Sequence, residues 1–477
     1  MSASIAPNVV VGPISGWSVD AYYRSTGYGN DNEPANYQRV WRYGSALYSL
    51  AWDYDGNEID GFSPYYYRRT WIISRSTDSG QTWTQLDMGN QPIGGKYGSS
   101  AYGEAAVQIG SKIWVFFDYG EHDEVSPGVY GYQFDEIRAI AFDCATDTWG
   151  TAITSGGPIR ELTSASVNLI NNISVDACYR GSDEIVVFHS DTDETASPHR
   201  SMYSVFNTSS LTWTSTSNVV FTSSTSTAVD PERCIAYGST VRFIAKAGDY
   251  ATAGTGARWT RELSGSTLGT VTNLFASWPG GWRALTADFQ NYNGFVTVFG
   301  SEVIFVQSVW LWSPAGSPFR QWKIAAFRAP SATSAPSWTV EDIGSTDWDT
   351  AYVSYGDSGT PCFVTNGADL YCLAGGFGTF TAPSNNRYGV YAQRYAGAGA
   401  WDAPTELWST FEAYGYGYLG PYQQNNILKW SAIGDLSGTD LNQNIGWVGT
   451  VSGLDGLDTI HFWRGQVNAC CCANYAY

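Results

Sequence analysis

The chain of 477 residues carries 25 Lys and Arg against 44 Asp and Glu, a formal charge of −19, which repels phosphate backbones and anionic bilayers and argues against nucleic acid as a partner. Only 14% of its residues are charged and 43% are hydrophobic, too apolar for a disordered acidic chain, yet no run of about 18 apolar residues is available for insertion across a membrane. The 21 Trp, 32 Tyr, 21 Phe and 52 Gly favour short strands joined by tight turns, with very little helix.

In chain order, MSASIAPNVVVGP lacks the basic start and apolar core of a secretory signal, so no cleaved leader is expected. NVVVGPIS reads as a strand outside any repeat. Residues 1–36 are therefore expected to form an arm whose strand closes a ring against the last unit. From residue 37 a pattern recurs: Gly, a small residue, any residue, then apolar and aromatic residues in alternation. Its copies begin at Gly44, Gly110, Gly181, Gly238, Gly300 and Gly367, at intervals of 66, 71, 57, 62 and 67 residues. A weaker copy, NNILKWSAI, begins at Asn425. A second landmark, a polar turn running into Trp, falls at Trp83, Trp149, Trp213, Trp338 and Trp401, at intervals of 66, 64, 125 and 63. The double interval spans one unit whose turn, SGSTLGTVT, lacks Trp.

Two landmarks with one period define tandem units. Each unit reads as four strands, A to D, with the Gly turn between A and B and the Trp turn between C and D. Such units bury both faces only when stacked around an axis. The expected fold is thus all-β, a β-propeller of four-stranded antiparallel blades, about seven blades, with six as the alternative. The propeller is assigned to residues 37–465 and a tail to 466–477.

In the first unit, RSTDSGQTW (residues 75–83) contains Ser76, Asp78, Gly80 and Trp83. Asp78 can bond the N–H groups of its own turn, Gly80 permits positive φ, and Trp83 enters strand D as a wedge between blades. The stretch resembles the Asp-box, or bacterial neuraminidase repeat, and residues 37–86 resemble a blade of the sialidase-type propellers. In that family the box is a structural turn on the face away from the active site, so the resemblance implies an architecture and not a reaction.

On the opposite face, DYDGNEIDGFSPYYY, DYGEHDEVSPGVYGYQFDE and SDTDETASPH read as long B–C loops. They gather Asp53, Asp55, Asp60, Glu121, Asp123, Glu124, Asp191, Asp193 and Glu194 on one rim, where recognition commonly resides. An arginine recurs just after them: Arg69, Arg138, Arg200, Arg258, Arg320 and Arg387, which follow the unit's Gly by 25, 28, 19, 20, 20 and 20 residues. Two readings stand. Either the arginine starts strand C and pairs with rim acids, or the six line a basin for a carboxylate-bearing glycan.

The resemblance to sialidases implies an arginine triad, a Tyr nucleophile activated by Glu, and an Asp acid. Arg39, in YQRVW, lies where the family's first arginine would fall, but departs from the expected Tyr/Phe-Arg-Ile-Pro. Asp60 lies where the acid would sit, with Asp53 and Asp55 as rivals, and no Tyr–Glu pair stands out. These two partial matches keep a sialidase-like glycoside hydrolase, an exo-glycosidase, as the alternative function.

The remaining motifs have plain readings. Asp53, Asp55, Asn57 and Asp60 suit a loose Ca2+ site, whereas Glu58 and Pro64 exclude an EF-hand; no other cofactor is expected. GDSGTP (356–361) mimics a serine-protease nucleophile, but none of His122, His189, His199 and His461 has a matching context, so it reads as a turn. No CxxC or HExxH spacing supports zinc. Cys362 and Cys372 flank a turn almost symmetrically and are placed to face each other, and Cys470, Cys471 and Cys472 are adjacent. The sequons at Asn172 and Asn207 are incidental without a secretory route. The reading that results is a non-enzymatic structural and recognition protein of a virion, of phage tail or fibre type, or of the extracellular surface. Its expected partners are further copies of itself, other virion proteins and cell-surface glycans.

Overall fold

The repeated apolar alternation becomes strands in the computed structural model, which describes residues 9–13, 19–20, 40–58, 67–78, 83–86, 104–126, 129–154, 160–161, 175–190, 200–223, 229–247, 257–274, 283–284, 294–312, 320–331, 338–346, 362–365, 370–377, 388–402, 405–409, 430–434, 445–452 and 457–465. Among the described residues the strands form seven antiparallel sheets. Blade 1 runs Val40–Tyr43, Ala46–Glu58, Tyr67–Ser76, Thr84–Leu86 in chain order, and blade 3 runs Val175–Gly181, Glu184–Ser190, Arg200–Asn207, Thr212–Thr222. Blades 2, 4 and 6 divide the outer position among short pieces; in blade 4 these are Thr267–Leu268 and Thr272–Asn273. The innermost strands of successive blades touch from blade 2 through blade 7, and that of blade 7, Trp430–Gly434, touches Val40–Tyr43 of blade 1. Blades 1 and 2 join through a shared apolar cluster. The result is a closed β-propeller.

Blade 7 is completed from the far end of the sequence. Val9–Pro13 pairs antiparallel with Leu457–Gly465, outside Ile445–Ser452 and Trp430–Gly434. This arrangement corrects the reading of NNILKWSAI, whose described residues 430–433 lie in strand A and not strand B. Apolar alternation is the same in both strands. What distinguishes them is that the N-terminal strand fills position D, which leaves the last three strands as A, B and C.

The Gly turns follow from backbone sterics. Gly44, Gly110, Gly238 and Gly300 have φ of 59 to 60°, a left-handed conformation that costs a side-chain-bearing residue about 1–2 kcal/mol. The C–D turn docks on the A–B turn at the same end: Cys144 N–H donates to the Ser111 carbonyl at 2.8 Å, Thr208 to Asp183 at 2.7 Å, and Ser331 to Ser301 at 2.8 Å. Asn207 caps its turn by accepting from the N–H groups of Ser209 and Ser210.

Apolar side chains cluster between blades. Ile113, Val115 and Phe142 of blade 2 pack with Trp41, Leu50, Trp71 and Ile73 of blade 1. Blades 2 and 3 share Trp114, Phe116, Ile185 and Phe206, and blades 3 and 4 share Phe188, Tyr203, Val241 and Phe243. The turn tryptophans wedge these seams. Trp149 packs against the blade 1–2 cluster, Trp213 against 2–3, Trp338 against 4–5 and Trp401 against 5–6. In blade 4, Leu268 takes the place of the missing Trp against the 3–4 cluster.

Polar clasps reinforce the turn face. The Tyr48 hydroxyl of blade 1 donates to the Cys144 carbonyl and to Asp147 of blade 2, both at 3.0 Å, and Arg75 pairs with the same Asp147. Burial, together with the Asp147 bond, pushes the Tyr48 phenol up to about 12. Across blades 5 and 6, Arg328 bridges Glu302 at 2.5 Å and Glu341 at 2.8 Å, Tyr395 donates to Glu302 at 2.6 Å, and the Trp401 indole donates to Glu341 at 3.2 Å.

Two further sequence expectations need correction. In blade 1, Asp53, Asp55 and Asn57 belong to the strand Ala46–Glu58, and in blade 2, Glu121, Asp123 and Glu124 belong to the 15-residue strand Lys112–Ser126, so residues 53–58 and 121–126 are strand and not loop. The aromatic return strand supplies the reason, since Glu124 pairs with Tyr130 and Glu121 with Phe134. Cys362 pairs with Leu373 and Cys372 with Phe363, a register one position away from facing the two cysteines, and Cys372 is buried.

Trp213→Ala removes a wedge from the 2–3 seam and is expected to cost about 3–5 kcal/mol in urea unfolding. A chain starting at residue 21 leaves Leu457–Gly465 as an uncovered edge. It is expected to melt at lower temperature and to self-associate with rising concentration in light scattering.

Candidate functional site

At the end of the propeller opposite the Gly and Trp turns, blade 2 stands taller than its neighbours. Its inner strand Glu104–Ile109 covers only Lys112–Phe117 of the next strand, and beyond Phe117 the pair Lys112–Ser126 and Val129–Asp143 continues as a two-stranded arm. Arg160–Glu161 pairs with Asp135 and Phe134 and buttresses its outer side. At its base Arg138 bonds Glu136 at 2.6 Å, and its guanidinium lies 3.2 Å from the Tyr119 ring centroid. Tyr119 and Glu136 are cross-strand partners, so the alternation of the sheet brings the three groups together.

Beside the arm, the same end of blades 3 to 5 holds a collar of buried charge. The inner strand of blade 4, Val229–Tyr237, contains Pro231 and a register shift between Pro231 and Arg233. Proline lacks an N–H and is tolerated at such an edge, and the bulge re-aims Glu232. Glu232, fully buried, forms an ion pair of 2.6 Å with Arg258 and accepts from the Gly294 N–H of blade 5 at 2.7 Å. A Cβ at Gly294 would lie 2.1 Å from the Phe305 ring and 2.7 Å from the Val306 carbonyl, so only glycine brings its N–H this close. Loss of one partner of such a buried pair generally costs about 3–5 kcal/mol. Arg233 donates to the Glu232 carbonyl at 2.8 Å and lies over Phe295 of blade 5.

In blade 3, Asp176 accepts the Cys234 N–H of blade 4 at 2.6 Å. Burial pushes its carboxyl up to about 7, while the nearby Arg233 charge and backbone donors pull the other way. His189, fully buried, bonds the Ser190 carbonyl through Nδ1 and Ser204 Oγ through Nε2, both at 3.0 Å. A carbonyl only accepts, so Nδ1 carries the proton. Ser204 Oγ accepts from Ser217 N–H and turns its own hydrogen to Nε2. His189 is thus a satisfied core residue.

The predicted site residues distribute as follows. Ser76 donates to Asp78 at 2.7 Å and Trp83 is buried, while Gly80 lies outside the described residues. Arg138 and Arg258 are each engaged by a carboxylate of their own blade, and Arg200 is half-buried at the first position of Arg200–Asn207. Arg69 and Arg320 are placed by register, opposite Tyr54 and Trp312. Asp53, Asp55 and Asn57 fall at alternate positions beside a register shift between Tyr54 and Glu58. Arg39, Asp60, Asp191, Asp193, Glu194 and Arg387 lie outside the described residues, as do His199, residues 356–361, Asn172 and residues 470–472. Among the described residues no group of three His, Cys, Asp or Glu side chains is arranged to hold a metal ion.

Sequence reasoning missed Asp176, Glu232, Arg233 and Lys246, the last buried and in register with Asp230 and Arg258 on the flanking strands of blade 4. The signal available was charge inside otherwise apolar strands, VDACY, VDPERC and FIAKA.

No protein-family model matches the chain, and no curated protein matches it. Among solved structures, an ulvan lyase of polysaccharide lyase family PL25 is similar over 76% of this chain and 79% of its own, at 9% identity and a TM-score of 0.43. The Trypanosoma rangeli sialidase in complex with the inhibitor DANA is similar over 76% of this chain and 54% of its own, at 12% identity and a TM-score of 0.41. A subtype N10 neuraminidase-like protein of A/little yellow-shouldered bat/Guatemala is similar over 71% of this chain and 91% of its own, at 10% identity and a TM-score of 0.34. The likeness to these sialidase- and lyase-type propellers is one of fold, at low identity.

Asp176 makes the collar sensitive to pH. Its folded-state value, about 7, exceeds the ordinary 3.8, so between these values the folded chain binds more protons than the unfolded one, and stability falls as pH rises through the window. Asp176→Asn is expected to flatten that slope: thermal midpoints of variant and wild type should converge near pH 4 and separate by pH 8, with the variant higher.

Proposed function

We propose that the protein is a non-catalytic recognition propeller, a virion component of phage tail or fibre type, that binds cell-surface glycans through the face carrying the B–C connections. The observation that carries this reading is the blade 2 arm, which projects beyond its own inner strand on that face. Its return strand, VYGYQF, is rich in aromatic residues of the kind that stack on sugar rings. The engagement of Arg138 and Arg258 by Glu136 and Glu232 supports a binding role over a catalytic one, because these guanidinium charges already have carboxylate partners. The Ser76–Asp78 bond and buried Trp83 support the Asp-box reading of the opposite face. Asp53, Asp55, Asn57 and Asp60 are the candidates for a Ca2+ ion that would assist hydroxyl binding. Further copies of the chain and other virion proteins are its assembly partners.

A glycan array probed with the purified protein, with and without a chelator, tests the reading. Binding to a defined glycan class is expected, without turnover of a chromogenic sialoside. Replacement of residues 122–133 by Asn-Gly, which keeps the Glu121–Phe134 pair and shortens the arm, is expected to weaken binding at least about tenfold while the thermal midpoint holds. Sialoside release would select the glycosidase alternative, and absence of the protein from purified particles of its source would remove the virion assignment.

A further inference from the structure

Cys178 lies in the inner strand of blade 3 and Cys234 in that of blade 4, and both are buried in the seam the two blades share. Two contacts bring them together. The Cys234 N–H is bonded to Asp176, two residues before Cys178 and therefore on the same face of its strand. The Cys234 thiol reaches the carbonyl of Val186, the cross-strand partner of Cys178, at 3.9 Å. The pair thus sits across a blade boundary, with no strand between.

We propose that Cys178 and Cys234 form a disulfide that staples blade 3 to blade 4 when the protein meets an oxidising small-molecule disulfide. The thiolate of one cysteine attacks a sulfur of that disulfide, its S–S bond breaks, and one half leaves as a thiolate. The second cysteine's thiolate then attacks the protein sulfur of the mixed disulfide and expels the other half. Both cysteine sulfurs are oxidised, and the small disulfide is reduced to two thiols that take up the two cysteine protons. The covalent S–S length is about 2.05 Å, so closure draws the two inner strands together at this seam. Burial, with Cys178 and Asp176 adding to it, holds the Cys234 thiol well above its ordinary range, so exchange in the closed ring is slow and accelerates when the seam opens.

The test is incubation of the full chain with oxidised glutathione at pH 8, trapping with N-ethylmaleimide, and peptide mapping without reductant. The expected result is a cross-linked peptide pair containing Cys178 and Cys234, with a thermal midpoint about 3–5 °C higher that dithiothreitol reverses. Cys178→Ser and Cys234→Ser should each lose both the cross-link and the dithiothreitol-sensitive shift. Should either variant fold poorly, the wild-type map decides alone. Recovery of both residues as N-ethylmaleimide adducts after prolonged oxidation, as separate glutathione adducts, or cross-linked to other cysteines would overturn the proposal.

Discussion

Burial between blades is the constraint on which the rest of the structure depends. A four-stranded sheet whose two faces are both apolar cannot stand alone in water, and here the clusters pair blade 1 with 2, 2 with 3, 3 with 4, 4 with 5, and 5 with 6. Each of the sheets of blades 2 to 5 is half of two cores. An open row of such sheets would expose a face at each end, and closure of the ring removes both exposures. The wedge tryptophans and the positive-φ glycines serve that stacking, the first by filling the seams and the second by keeping the strand connections tight.

The polar groups follow the same geometry. On the turn face, Tyr48 with Asp147, and Arg328 with Glu302 and Glu341, span or flank seams. On the other face, Glu232 reaches Gly294 and Asp176 reaches Cys234, each across one seam. Polar groups of the collar therefore tie neighbouring blades across their seams. The division explains why arginines that recur at one position of the repeat differ in environment: Arg258 is enclosed, Arg138 stacks on Tyr119, and Arg200 is half-buried.

How much of this was legible in the sequence depended on whether a residue's role was local. Glycine at Gly44 or Gly300 is dictated by its own φ, and Trp149 or Trp213 by a position just after a turn, so period and fold could be read from spacing alone. The acidic stretches of blades 1 and 2 were misread as loops because charge within a strand mimics a loop until the opposite strand is known. The register of Cys372 with Phe363 depends on turn geometry that near-symmetric spacing does not determine. The partner of Glu232 could not be read from the sequence, because the contact depends on a bulge at Pro231 together with a glycine 62 residues later.

The pairing of Val9–Pro13 with Leu457–Gly465 has a temporal consequence. Val9–Pro13 must wait for residues 457–465 to leave the ribosome before it finds its partner, at about 5–20 residues per second. Until then the nascent chain carries an unsatisfied β-edge, and the contact that covers it joins segments far apart in sequence, the slow kind of contact for a folding chain.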